Sequence, residues 1–286
     1  MNRYSILRLA WLPGALFCGL SGPALALGTA RLGPAACDPD VLFNGGFDEA
    51  DDALTDPSGG SGGELGSNLA ETIVVGDALR PYLLRVPPDY SARRPVPAVV
   101  LLHGAAGPNT AMTSAVAVRN LWSATADAAG ALLVVPVGSG SQGSWVPAVD
   151  IPVIEAVIAE VESHYDLDRN RIHAWGYSSG GHLAHGLALD RGARYAAYAV
   201  NAGVLAGYAG QDAPGAAERK PPLASYIGLE DPLLANARLD DLNFRSNGWI
   251  AEETLRYVEF PGGHGFPTTN QVAEIWRFLC PWALQP

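Results

Sequence analysis

The sequence predicts a single α/β domain built on a mostly parallel, doubly wound sheet, and three observations lead there. From about residue 70 onward, short β-rich apolar runs alternate with stretches of helical periodicity. The central runs are apolar at consecutive positions, as strands buried on both faces require. The 286 residues are 48% hydrophobic and 16% charged, which supplies a substantial core and excludes a disordered chain.

Residues 1–26 read as a secretory signal. Arg3 and Arg8 form a short basic start, Leu9–Leu20 is mainly apolar, and Ala24-Leu25-Ala26 fits a small-residue cleavage site. Pro13, Gly14 and Gly19 interrupt the apolar run, which is also too short for a good spanning helix. Leu16-Phe17-Cys18-Gly19 is a poor lipoprotein signal because a bulky Phe precedes the Cys. Export to the periplasm or the medium is therefore expected, with no membrane attachment after cleavage.

Removing the signal takes away Arg3, Arg8 and no acid, so 16 basic face 29 acidic side chains and the formal charge moves from −11 to −13. Such a surface disfavours nucleic acid and anionic membranes as partners. Cys18 goes as well, leaving Cys37 and Cys280 as a candidate disulfide in an oxidising compartment. Two separate buried thiols are the alternative.

Residues 27–69 are expected to be an N-terminal peptide and linker. Val41–Phe47 is too short for a domain and is either the remnant of a module or a peptide packed on the main body. Ala50–Asn68 is rich in Gly, Ser and Asp, centred on Ser58–Gly63, and reads as a flexible linker or loop.

The catalytic-size domain is placed at 70–286. Its expected strands are Tyr82–Val86, Ala98–His103, Ala131–Pro136, Arg171–Gly176, Ala196–Asn201, Leu223–Gly228 and Leu255–Phe260. Ile151–Tyr165 carries Ile151, Ile154, Val157, Ile158 and Val161 on one helical stripe, and Gln271–Leu279 reads as a last helix stopped by Pro281.

Chemistry enters at Gly176-Tyr177-Ser178-Ser179-Gly180-Gly181, between the strand-like Arg171–Trp175 and the helical Gly181–Leu189. Strand, sharp turn and helix are the context in which a serine hydroxyl is lifted above a sheet as a nucleophile, with glycines where the backbone passes closely. The N–H of Ser179 would help hold an oxyanion. The run Val99–Leu102 into His103-Gly104-Ala105-Ala106-Gly107 offers the second donor, with Ala105 as first choice. His103 is read as shaping that turn through its ring.

His264, in Pro261-Gly262-Gly263-His264-Gly265-Phe266-Pro267, follows the last expected strand and can reach the serine across the sheet's carboxyl edge. The acid that orients it must lie between them in the chain. Asp231, in Gly228-Leu229-Glu230-Asp231-Pro232, sits on the appropriate loop, with Glu230, Asp240 and Asp241 as rivals. His164, His173, His182 and His185 make no metal-ligand grouping, and no cofactor is required by this chemistry. Trp145 is read as either lining the cleft or packing.

The motifs His103-Gly104, Gly176–Gly181, Gly228–Asp231 and Gly262–Pro267, with Ala148-Val149-Asp150 and Glu274–Phe278, resemble the family that groups polyhydroxybutyrate depolymerases with feruloyl and acetylxylan esterases. The resemblance covers most of residues 75–280. Ser178-Ser179, where Ser-Asn or Ser-Ala is more familiar, and Trp249, where Cys often follows Asn-Gly, depart from it.

Membership would imply an α/β-hydrolase acting on a carboxylic ester, polymeric in the case of polyester or acylated xylan, and a monomer is expected. A peptidase of the same fold would normally carry a further large domain. An acyltransferase needs an acceptor pocket that sequence does not reveal, and a non-catalytic binding protein usually lacks a triad member.

Overall fold

The expected strands assemble into one eight-stranded sheet in the computed structural model, which describes residues 29–31 and 55–285. The expected signal at 1–26, Cys37, Val41–Phe47 and the first residues of the Gly/Ser-rich stretch lie outside the described residues. In chain order the strands are β2 (Leu69–Val75), β3 (Ala78–Arg85), β4 (Val96–Leu102), β5 (Leu132–Pro136), β6 (Leu167–Tyr177), β7 (Tyr198–Asn201), β8 (Leu223–Gly228) and β9 (Leu255–Phe260).

Their spatial order is β2-β3-β5-β4-β6-β7-β8-β9. β3 runs antiparallel to β2 and β5, and every later pairing is parallel. The crossovers that parallel pairing demands include the helices α1 (Ala111–Ala129), α2 (Pro147–His164), α3 (Ser179–Asp190) and α6 (Leu234–Ser246), and α7 (Thr269–Leu279) follows the last strand of the sheet. Between β7 and β8 lie only two single turns, α4 (Leu205–Tyr208) and α5 (Ala213–Ala216).

Alternate side chains of each central strand feed two cores. Ala98, Val100, Leu132, Val134, Ile172 and Ala174 pack with Ile154, Val157 and Ile158 of α2 and Leu183 and Leu187 of α3. Val99, Leu101, Leu133, Val135 and Trp175 face the other way, against Val118 and Trp122 of α1 and Ile275 and Trp276 of α7. The consecutive apolar character of these strands in the sequence is the signature of this two-sided burial.

Two elements begin earlier than their sequence pattern. α2 starts at Pro147 rather than Ile151, because Pro is tolerated in the first turn and the buried Asp150 carboxylate accepts the Val146 N–H at 2.7 Å. β6 starts at Leu167 rather than Arg171, its polar lead-in pairing where Val96 meets Leu167.

The described part of the Gly/Ser-rich stretch does not behave as a free linker. Ser58 N–H donates to Leu167 O at 2.8 Å and its hydroxyl to Tyr165 O at 2.7 Å. Gly59 N–H reaches Asp166 at 2.8 Å, and Gly62 and Gly63 both donate to His164 O. Composition misleads here because it records side chains available for burial. These contacts are made mainly by backbone atoms, with the Ser58 hydroxyl and the Asp166 carboxylate.

Strand β1 (Thr29–Arg31) pairs antiparallel with β10 (Trp282–Leu284), Thr29 opposite Leu284. The N-terminal peptide is thereby stitched to the C-terminal end. No helix among the described residues is long and apolar enough to cross a membrane.

Candidate active site

The junction of β6 and α3 is one residue long. Ser178 occupies it with φ 53° and ψ −118°, a region that L-residues adopt only when their surroundings enforce it. Here the backbone enforces it, since Ser178 N–H donates to Asn201 O and Ser178 O accepts from His182 N–H, both at 2.9 Å. The flanking glycines are obligatory. A Cβ on Gly176 would stand 2.1 Å from Gly180 O, and one on Gly180 would stand 2.0 Å from Leu102 O.

The loop after β9 brings His264 over this turn, and its Nε2 lies 2.8 Å from Ser178 Oγ. Its Nδ1 lies 2.8 Å from Asp231 Oδ2. Asp231 follows β8, its carboxylate fully buried and its Oδ1 accepting the Leu233 N–H at 2.8 Å. A carboxylate accepts only, so Nδ1 carries the imidazole proton and Nε2 is left to accept from the serine hydroxyl.

The rival acids are engaged elsewhere. Glu230 accepts the Gly262 N–H and shapes the histidine loop. Asp240 holds Leu205 N–H and the Gln211 amide, each at 2.8 Å, and Asp241 pairs with Arg245 at 2.8 Å.

His103 is fully buried at the end of β4. Its Nδ1–H donates to Gly104 O at 3.1 Å and its Nε2 accepts from Gly138 N–H at 3.0 Å, so the ring is neutral. Burial holds its pKa below the usual histidine range, in keeping with that role. The turn that follows lies against the serine: a Cβ on Gly104 would come within 3.3 Å of Ser178 Cβ and 2.8 Å of the Tyr177 ring. Ala105 follows, exposed, while Ser179 is buried at the start of α3. Serine, imidazole and these two segments thus meet at the carboxyl edge of the sheet, where open α/β sheets place ligands.

Trp145 takes the packing role rather than lining open cleft. It is 3% exposed, its Nε1–H donates to His103 O at 2.8 Å and its rings lie 4.6 Å from the imidazole.

Three neighbours were given no role by the sequence reading. Tyr177 donates to His264 O at 3.1 Å, Phe266 packs edge-on against Tyr177 at 5.2 Å, and Tyr208 touches both Ser179 and Trp145 O. Phe266 was legible within the histidine motif. Tyr208 sits alone in a small-residue segment and gives no local signal. Among the described residues no group of three or more His, Cys, Asp or Glu is arranged to hold a metal ion.

No family model matches the chain. Among curated proteins it is 25% identical over 225 residues to the probable feruloyl esterase C of Aspergillus niger, covering 70% of this chain and 83% of that protein. It is 27% identical over 160 residues to feruloyl esterase C of Emericella nidulans, covering 54% of this chain and 56% of that one. Among solved structures, one described as a thermostable esterase aligns with a TM-score of 0.58 at 21% identity, over 77% of this chain and 64% of that one. One described as a ferulic acid esterase aligns at 0.57 and 15% identity, over 74% and 96%. These likenesses and the strand order give the chain the α/β-hydrolase fold.

Proposed function

We propose that this α/β-hydrolase, a carboxylic ester hydrolase related to the feruloyl esterases, works through Ser178, His264 and Asp231. Support comes above all from the unbroken hydrogen-bonded path from Ser178 Oγ through His264 to the buried Asp231. His264 Nε2 takes the hydroxyl proton as Ser178 Oγ bonds to the ester carbonyl carbon, and Asp231 steadies the imidazolium. The N–H groups of Ser179 and Ala105 hold the oxyanion. His264 then protonates the departing alcohol as its C–O bond breaks. Water, deprotonated by His264, attacks the acyl-serine and releases the acid.

The substrate we favour is a short acyl or aryl ester displayed on a larger molecule, a feruloyl ester of a plant polysaccharide first and an acetyl ester or polyester second. The likeness to feruloyl esterases motivates the order. Exposed apolar side chains near Ser178 would suit such esters. Met112, Val146, Val149, Tyr208, Leu229 and Phe266 are all exposed, and each lies beyond the carboxyl end of a strand, on the same edge as Ser178.

The α4 and α5 turns are too short to present the broad apolar face that a lipase lid needs. Rates on a nitrophenyl ester series, above and below the solubility limit, should peak at short chains with no jump at the limit. Peak activity on long acyl chains would overturn the open-cleft reading. Parallel assays on feruloylated xylan, acetylated xylan and polyhydroxybutyrate rank the natural classes.

We also propose a monomer exported by cleavage after Ala26 and closed by a Cys37–Cys280 disulfide. Cleavage there would make Thr29, the start of β1, the third residue of the mature chain, and β1 pairs with β10, which begins two residues after Cys280. Cys280 is buried directly after α7, and loss of Cys18 with the signal would leave Cys37 as its candidate partner. Closing so long a loop stabilises by about 5 kcal/mol at most in the chain-entropy view. Thiol titration of the denatured, unreduced secreted protein should find no free thiol; two would refute the pairing.

A further inference from the structure

The two N–H donors assigned to the oxyanion come from elements with no covalent proximity, the turn after β4 and the first turn of α3. A side-chain path joins them. Tyr208 O–H donates to Trp145 O at 3.2 Å, since a carbonyl only accepts, and Ser179 Oγ lies 3.3 Å from the Tyr208 oxygen, which leaves Ser179 as the donor. Trp145 Nε1–H then donates to His103 O at 2.8 Å. The run Ser179, Tyr208, Trp145, His103 spans the hole from one donor segment to the other.

We infer that Tyr208 is a positioning residue that, through its hydroxyl, fixes the spacing of the two oxyanion donors. The inference rests on the proposed role of Ser178 and deepens it.

Each member of the path is itself held. The buried Asp150 carboxylate accepts from Ser139 N–H at 3.1 Å and Val146 N–H at 2.7 Å, fixing both ends of the loop that carries Trp145. Asp240 accepts the Leu205 N–H at the start of α4, and His182 Nδ1 accepts the Val204 N–H at 2.9 Å. The His182 ring stands edge-on to Tyr208 at 6.1 Å. Burial depresses the His182 pKa, so the neutral ring that this contact needs is the favoured form.

Among the described residues the Ser179 hydroxyl makes no other hydrogen bond, and it stands where the resembled family more often carries Asn or Ala. An anchor that sets donor spacing acts on the tetrahedral species more than on the bound ester, so its loss falls on kcat.

The test is a double-mutant cycle with Tyr208→Phe, Ser179→Ala and the double variant, read by kcat, KM and the affinity of phenylboronic acid. That probe accepts Ser178 Oγ at boron, with the hydroxyl proton passing to His264, and forms a tetrahedral adduct in the hole. Each single variant should lose on the order of 10-fold in kcat and in boronate affinity, with KM within about twofold. The double variant should be no worse than the singles. Ser179→Ala keeps its backbone N–H and carries the test should Tyr208→Phe fold poorly. Unchanged kcat and boronate affinity in folded variants, or fully additive losses, would overturn the clamp. Wild-type enzyme that binds no boronate, or binds it equally as Ser178→Ala, would instead overturn the role of Ser178.

Discussion

Ser178→Ala is expected to lower kcat on a nitrophenyl ester by on the order of 10⁴-fold or more, with the thermal midpoint little changed. The magnitude follows from removing the atom that forms the acyl bond. Only the oxyanion donors and His264 acting on water would remain. Stability should hold because nothing that maintains the elbow uses the hydroxyl. The bonds from Ser178 N–H to Asn201 O and from His182 N–H to Ser178 O are backbone bonds, and Gly176 and Gly180 set the close approach. Alanine meets the same φ of 53° with the same Cβ. Turnover and a melting curve on one preparation decide the matter, and near-normal turnover by folded protein would remove Ser178 from the chemistry.

Asp231→Asn is expected to cost on the order of 10⁴-fold in kcat at neutral pH, again without unfolding. The carboxamide is isosteric, so its oxygen can keep the Leu233 N–H bond. Its amino group then faces His264 Nδ1 where Oδ2 stood at 2.8 Å. An amino group donates, so Nδ1 must accept and the proton moves to Nε2. With Nε2 protonated, the ring cannot take the proton of Ser178. Glu230→Gln, altering only the side chain that accepts Gly262 N–H, should be far milder. Equal losses in the two variants would mean that loop shape, rather than the imidazole tautomer, is what Asp231 provides.

Much of the architecture was legible in the residues. β8 and β9 match their expected bounds, and the five central strands were visible because two-sided burial writes consecutive apolar residues. β2 was missed. It lies at the sheet edge, with only alternate residues half-buried, and its Leu69-Ala70-Glu71-Thr72 start resembles the polar stretch before it. Besides the single turns α4 and α5, two longer helices were also missed. α1 is so rich in Ala that its apolar stripe has little contrast, and α6 buries only Ala237, Asp240 and Phe244.

The site divides along the same physical line. Ser178, Asp231 and His264 sit in turns whose glycines, prolines and order along the chain mark them, and the structure brings these three side chains together. Tyr208 and the contact it makes with Trp145 bridge 63 residues and depend on how α4 packs over α3. Nothing local in Ala202–Pro222 carries that information. The stretch Ser58–Gly63 was opaque for a related reason, because most of its contacts are made by backbone atoms that every residue possesses, with the Ser58 hydroxyl beside them.

The most direct measurement is the intact mass of the purified protein after reaction with an aryl fluorophosphonate, followed by peptide mapping. Attack by an activated Ser178 displaces fluoride and leaves one phosphonyl group per chain, on the peptide containing Ser178 and Ser179, coincident with loss of esterase activity. Ser178→Ala should remain unlabelled under the same conditions. Activity lost with the label on another residue, or folded active enzyme that takes up no label, would contradict hydrolysis through Ser178.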